Sequence, residues 1–352
     1  MTAAPPVTFG AGDRVVVTGA GGFIGSAITR QLIERDLDVV ALLEPGGDHR
    51  NVDGLDVERV TVDLRDRDGV VGAIAGSRGV FHVAAVYKFW APDNRIFYDV
   101  NVGGTRHVME AAARAGTERV VFTSTVGTVG LHAMDSAGGA DESAYADVDH
   151  LFGWYKRSKY VAEHEVLRAA AEGLPVTLAL PTFPLGRRDR GPTPTGRLVL
   201  DFLNGRIPGY VDTSLNVAHV DDVAAGHILA LECGAVGRSY ILGGENQSLR
   251  ELLTTIAACT GLPPPRLRVP RALALGVAHA SDLVEGRILH RQPAVPLEAA
   301  RMSTTRMIFD DSRARTELGY TSRPAVEAIE DSARWFVDSG YVRSARRARI
   351  TF

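Results

Sequence analysis

Residues 15–33 read VVVTGAGGFIGSAITRQLI, an unbroken apolar run that breaks into glycines and resumes with helical spacing. Glycine weakens strands and helices alike, so Gly19, Gly21, Gly22 and Gly25 meet a need for room that no side chain would leave. The spacing Gly19-x-x-Gly22-x-x-Gly25 divides that need. Gly19 allows a tight turn, Gly22 lets the backbone approach a pyrophosphate, and Gly25 lets the first helix pack closely on the first strand. Phe23 and Ile24, expected to contact the cofactor, lead into a helix whose free N–H groups and positive dipole end suit the phosphates. A glycine triplet alone is weak evidence. This one lies after a strand and before a helix, which makes it a dinucleotide-binding turn.

After a short lead expected to be disordered, apolar runs alternate with helical patterns. Strands are expected at 14–19, 38–43, 57–63, 79–85, 119–124, 175–180 and 239–244, with helices at 26–36, 104–116 and 155–173. Continuous Val/Ile/Leu runs between amphipathic helices predict an α/β fold, a Rossmann-type doubly wound parallel sheet covered on both faces. From about residue 182 the pattern turns irregular and rich in Pro and Gly, as in RRDRGPTPTG and TGLPPPRLRVP. The reading is a dinucleotide-binding region over 1–181, with 210–245 returning to it, and a smaller interleaved substrate-capping region over 182–209 and 246–352. SLRE at 248–251 reads as a capping box that opens a helix.

Charge excludes some partners. A net charge of -3 over 352 residues offers no electrostatic case for nucleic acid or an anionic membrane. Two cysteines, Cys233 and Cys259, cannot build a disulfide framework or a cysteine-rich metal site, and no clustered His, Cys and Asp ligands suggest any other metal. The first residues lack a basic region followed by an apolar core, and no run approaches the roughly 20 apolar residues of a membrane helix. A soluble, cytoplasmic protein is expected.

The second strand runs out at Leu43, so Glu44 is the acidic residue expected to accept from the adenosine ribose, the alternative being a solvated strand-end charge. Asp63, with Leu64, ends the third strand and could reach the adenine, or Asp63 could cap a helix. Ala84, Ala85 and Pro181 are expected to line the cofactor as well. Tyr155 and Lys159 stand four apart, on one face of a helix. An ammonium beside a phenol lowers the phenol's pKa towards the working range, and the same lysine can hold the nicotinamide ribose. Thr125, near the end of the fifth strand, could hold a substrate oxygen in line with Tyr155.

VTGAGGFIGS, FHVAA, NVGGT, FTSTVGTVG, YKRSK and HVDDVAAGH together resemble the extended short-chain dehydrogenase/reductases along nearly the whole chain. The resemblance implies Tyr155 as general acid/base, Lys159 as its partner, Thr125 with the preceding Ser124 as the strand-end hydroxyls, and Asn101 positioning the lysine, with a helix N-cap as Asn101's rival or additional role. FHVAAVYKFWAP, GPTPTGRLV and YILGGENQSLRELL look most like hopanoid-associated sugar epimerases, themselves similar to dihydroflavonol reductases. Nucleotide-sugar epimerases of the family commonly place an asparagine where Phe183 aligns, and 4,6-dehydratases place Asp-Glu where Val126 and Gly127 stand. The resemblance therefore favours a reductase of ketones or aldehydes. Its rivals are an epimerase with tightly bound NAD and a cofactor-sensing protein without catalysis.

The reductase branch usually has a basic residue at the end of the second strand, pairing with the 2′-phosphate of NADP. Glu44 stands there instead, which favours NAD over NADP, although Arg50 could still reach a phosphate. A homodimer through two helices per subunit is also implied. For the substrate, a small-molecule carbonyl or alcohol, Val86, Tyr87, Lys88, Phe89 and Trp90 follow the fourth strand, with His132, Trp154 and Phe183 as further candidates. Plain core is the alternative for the aromatics.

Overall fold

The computed structural model describes residues 6–130, 138–144, 146, 151–303 and 305–352. His132 lies outside the described residues. The chain begins with β1 (Arg14–Thr18), α1 (Phe23–Ile33), β2 (Asp38–Leu43), β3 (Glu58–Thr61), α2 (Arg67–Ile74) and β4 (Gly79–His82). A short α3 (Arg95–Tyr98) runs through a π-helical turn, Asp99–Gly104, into α4 (Thr105–Ala115), then β5 (Arg119–Thr123), α5 (Trp154–Ala171) and β6 (Val176–Pro181). Next come β7 (Phe183–Leu185), α6 (Pro194–Leu203), β8 (Gly209–Tyr210), β9 (Ser214–His219), α7 (Val220–Cys233) and β10 (Ser239–Leu242). The last part holds β11 (Glu245–Ser248), α8 (Leu249–Thr260), β12 (Leu267–Arg268), α9 (Arg271–Ser281), α10 (Leu297–Met302), α11 (Ser312–Leu318) and α12 (Ala325–Asp338).

Seven strands form one parallel sheet in the order β10-β6-β5-β4-β1-β2-β3. The apolar runs are continuous because both faces are buried. Val15, Val17, Val39, Ala41 and Leu43 point into the core beneath α1 and α7, while Val16, Val40 and Leu42 point into the core beneath α2, α4 and α5. The strand order reverses between β1 and β4, which opens a crevice at the carboxyl ends of those strands. β7, β9 and β11 form a separate sheet that packs with α6, α8 and α12 around a third core. Thus 214–219 lies in the small sheet, whereas α7 and β10 belong with the large one.

Ser248 and Glu251 make the full capping box at the start of α8. In the described part of the lead, Val7 N–H donates to the Glu232 carbonyl and Phe9 is buried beside Arg78 and Gly79, where its ring covers the amino end of β4. Among the described residues no helix is long and apolar enough to cross a membrane, and no group of three His, Cys, Asp or Glu could hold a metal.

Candidate active site

The glycine turn closes the carboxyl end of β1. Gly19 has φ +68, and a Cβ on it would lie 2.9 Å from Ala84 Cα, so it serves both the turn and a close approach to the segment after β4. A Cβ on Gly25 would run into the Gly19 carbonyl. The close packing made possible by Gly25 is thus between α1 and the turn itself. Gly22 is the N-cap of α1 and no side chain caps it, so the first N–H groups of the helix, those of Phe23, Ile24 and Gly25, are presented bare beside a cradle of glycines. That donor set fits a pyrophosphate. The side chains of Phe23 and Ile24 pack into or against the core below.

Glu44 is exposed just past β2. Gly47 leaves room for its side chain, since a Cβ there would lie 2.9 Å from Glu44 Oε1. Arg50 is not free to face a phosphate as it stands, because its Nε donates to Asp48 Oδ1 at 2.8 Å. Asp63 is no helix cap. Arg65 Nε donates to its Oδ1 at 3.0 Å, and Asp66 caps α2 by accepting from Gly69 N–H. Leu64 is buried against Gly104. Ala84 N–H donates to Thr18 Oγ1 at 3.1 Å, Ala85 follows it, and Pro181 ends β6 paired with Leu242. A strap that sequence spacing does not reveal ties the glycine turn to the segment after β7: Asn51 Nδ2 donates to the Gly21 carbonyl at 3.1 Å and to the Arg188 carbonyl at 3.0 Å.

Tyr155 lies in the first turn of α5, buried to 8% exposure. Its hydroxyl faces Thr125, and Gly127 N–H donates to Thr125 Oγ1 at 3.1 Å. Lys159, one turn on, sends Nζ to the Thr123 carbonyl at 2.7 Å and lies over the Phe122 ring at 4.0 Å. Burial pushes the lysine down to about 7 against the pull of Glu163, which accepts from Thr128 Oγ1 at 3.0 Å and faces Ser124. The phenol is not lowered as expected. Burial raises it, Thr125 opposes that only in part, and the ammonium is directed at Thr123.

Asn101 sits inside the π-helical turn and is not a helix N-cap. The extra residue of that turn aims its amide at Val86, whose N–H donates to Oδ1 at 2.7 Å, and at Ser158 Oγ, to which Nδ2 donates at 2.9 Å. Ser158 Oγ in turn donates to the Tyr155 carbonyl at 2.8 Å. From Asn101 the chain continues through Thr105 to His82, whose Nε2 lies 2.9 Å from Thr105 Oγ1 and whose Nδ1 lies 2.9 Å from Thr18 Oγ1. Burial and the charge of Lys159 push His82 down to about 3, so it serves as a neutral link. A buried hydrogen-bonded chain therefore ties the end of β1 to the helix that carries Tyr155. No spacing rule marked His82, Thr105 or Ser158.

Tyr87 stacks tilted on Tyr155 with ring centroids 4.7 Å apart. Lys88 is exposed, and Phe89 and Trp90 are half-buried. Trp154 stands 46% exposed, edge-on to Tyr98 at 6.2 Å, and Phe183 packs against the third core. The structure thus brings Tyr87 onto Tyr155 and leaves Trp154 exposed. Two residues of this region escaped the sequence reading, Lys156 on α5 and Glu298 on α10. Burial pushes the Glu298 carboxyl up to about 7, with Lys156 opposing the shift. Trp90 Nε1 lies 3.7 Å from where a Gly286 Cβ would be, so the indole bridges the segment after β4 to the π-helical turn 282–288. Trp90→Ala is expected to raise substrate KM by roughly tenfold, about 1.4 kcal/mol, with the dinucleotide dissociation constant little changed. Steady-state kinetics beside cofactor titration checks this, and loss of the fold in the variant would make the indole plain core.

Comparison with known proteins agrees with the geometry. A model of the NAD dependent epimerase/dehydratase family matches residues 15–243. A protein of Synechocystis sp., provisionally named dihydroflavonol 4-reductase, is 40% identical over 336 residues, covering 94% of this chain and 97% of its own. Sterol demethylase protein B of Methylococcus capsulatus is 35% identical over 328 residues, covering 93% and 99%. The crystal structure of gox2253 superposes with a TM-score of 0.83 at 41% identity over 94% of this chain and 100% of that one.

Proposed function

This chain belongs to the NAD dependent epimerase/dehydratase family, and we propose that it is an NAD(P)-dependent oxidoreductase of the extended short-chain type, reducing a ketone or aldehyde carbonyl of a small molecule. The observation that carries the reading is the buried Tyr155 phenol facing Thr125, with Lys159 one turn along the same helix. Burial keeps the phenol protonated, and a protonated phenol is a donor to an oxygen gaining negative charge. Thr125 orients that oxygen. Asn101 and Ser158 hold the first turn of α5 in register, and Lys159 is positioned to bind the ribose. When bound, the nicotinamide supplies the hydride. The bare N–H groups of Phe23, Ile24 and Gly25 hold the pyrophosphate and Glu44 the adenosine ribose.

The epimerase reading has less support: Phe183 is part of the third core, and Thr125 is followed by Val126 and Gly127. Screening aldehydes, ketones and nucleotide sugars while following reduced cofactor tests the choice. Stoichiometric consumption of exchangeable cofactor supports the reductase. Interconversion of a nucleotide sugar with dinucleotide retained through purification overturns it.

NAD is the preferred cofactor in this reading, because Glu44 repels a 2′-phosphate while Asp48 engages Arg50. Glu44→Arg is expected to shift the ratio of NADPH to NADH affinity by roughly 5- to 150-fold, the range of about 1–3 kcal/mol for one charge contact at a partly desolvated site. Fluorescence titration of both reduced cofactors decides it. Tighter NADPH binding by the unsubstituted protein would show that another base outweighs Glu44.

A further inference from the structure

We propose that Lys156 and Glu298 form a subsite for a hydroxyl group of the substrate, with Lys156 Nζ donating to the hydroxyl oxygen and a Glu298 carboxylate oxygen accepting its O–H. The inference rests on reading the Tyr155 cleft as the substrate site. Lys156 immediately follows Tyr155 on α5. A Cβ on Gly127 would lie 3.3 Å from Lys156 Cε and 3.3 Å from Thr125 Oγ1, so the lysine stem runs beside Thr125. Glu298 comes from the opposite side, on α10, and is only 7% exposed. Its carboxylate occupies the space opened by Gly153, a glycine at φ +88 whose Cβ would collide with it, and Oε1 is buried with no hydrogen-bond partner. The charge of Glu298 bears on Lys156, Tyr155 and Tyr87 together, and Gly153, against which its carboxylate sits, is two residues before Tyr155.

Two opposite charges, one of them buried, would be expected to close into contact, since the buried one otherwise bears a desolvation cost without its partner. Here they do not close. No ion pair within 4.0 Å joins Lys156 to any carboxylate among the described residues. The group that satisfies both must accept from an ammonium and donate to a carboxylate. A hydroxyl does both. A ketone oxygen or a substrate carboxylate answers only Lys156, and a substrate ammonium only Glu298. A hydroxyl also reproduces the two bonds a water could make between the pair, which a methylene cannot.

The test uses the full chain saturated with NAD⁺, so that no reduction occurs, and measures by calorimetry the affinity for cyclohexanone and for its ring-hydroxylated derivatives. At least one hydroxylated ketone is expected to bind tenfold or more tightly than cyclohexanone, on the scale at which hydrogen-bonding sites reject analogues lacking the group. Glu298→Leu and Lys156→Met should each bring that ratio close to one, and either variant suffices if the other fails to fold. No preference, no binding by any of the ketones, or a preference that survives the substitutions overturns the subsite. Turnover with NADH is read separately. A preference abolished by the substitutions, without reduction of any ketone, keeps the subsite and overturns the reductase reading. Reduction without a preference does the reverse.

Discussion

Tyr155→Phe is expected to lower turnover by roughly 10²–10⁴-fold, the usual worth of a positioned acid, with fold and dinucleotide affinity little changed. The ring is 8% exposed and stacks with Tyr87, and phenylalanine fills the same volume, so the packing at the start of α5 survives. What is lost is one O–H facing Thr125, whose oxygen still accepts from Gly127 N–H. Because burial holds the phenol above its ordinary pKa, it remains protonated through neutral pH, and its loss removes a proton donor at every working pH. Stopped-flow or steady-state rates with an active carbonyl substrate, alongside NADH titration, read the two effects apart. Near-normal turnover in the variant would remove Tyr155 from the chemistry, and lost cofactor affinity would make its role one of binding.

How much of this was legible in the sequence depends on how local the signal is. The glycine turn could be read because one short loop carries the requirements at Gly19, Gly22 and Gly25. The strands stood out because residues such as Val15, Val16 and Val17 are buried on both faces, and the apolar run therefore has no gap. Tyr155 and Lys159 share a helical face by simple periodicity. Groups that meet only through the tertiary fold left no such trace. Glu298 approaches Lys156 from 142 positions away, and His82 reaches Thr105 through the packing of β4 against α4. A helix cap stays open as Asn101's rival role on sequence alone because a π-helical turn has no compositional mark, yet that turn is what aims the amide at Val86 and Ser158. Asp63 and Asp66 are equally good caps on paper, and only the entry angle of α2 selects Asp66. The lowered phenol failed for a related reason, since spacing says that two groups share a face and cannot say where Nζ is directed.

The turn itself supplies the second large effect. Gly25→Ala should lower dinucleotide affinity by roughly a hundredfold, equivalent to about 2.7 kcal/mol, and reduce thermal stability as well. The added Cβ would collide with the Gly19 carbonyl oxygen and lie 2.8 Å from its carbon and 3.1 Å from Ala20 Cα. All of these are backbone atoms, so no side chain can swing away. Nor can the turn retreat. Gly19 N–H donates to the Leu42 carbonyl at 3.0 Å, its carbonyl accepts from Gly22 N–H at 2.9 Å, and Ala84 Cα closes the other side at 2.9 Å from a Gly19 Cβ. Relief must come from lifting the start of α1, and overpacking of that kind costs about 1–3 kcal/mol. It also draws the N–H groups of Phe23 and Ile24 away from the phosphates, and hydrogen bonds to a charged group are worth about 1.5–3 kcal/mol each. Gly72→Ala, within α2, is the control, because a Cβ there meets nothing within 4 Å. It should be neutral or stabilising by about 0.4–1 kcal/mol, with cofactor binding intact. Calorimetric titration with NADH and thermal melts of both variants decide the matter, and wild-type affinity in Gly25→Ala would show that the turn does not carry the pyrophosphate.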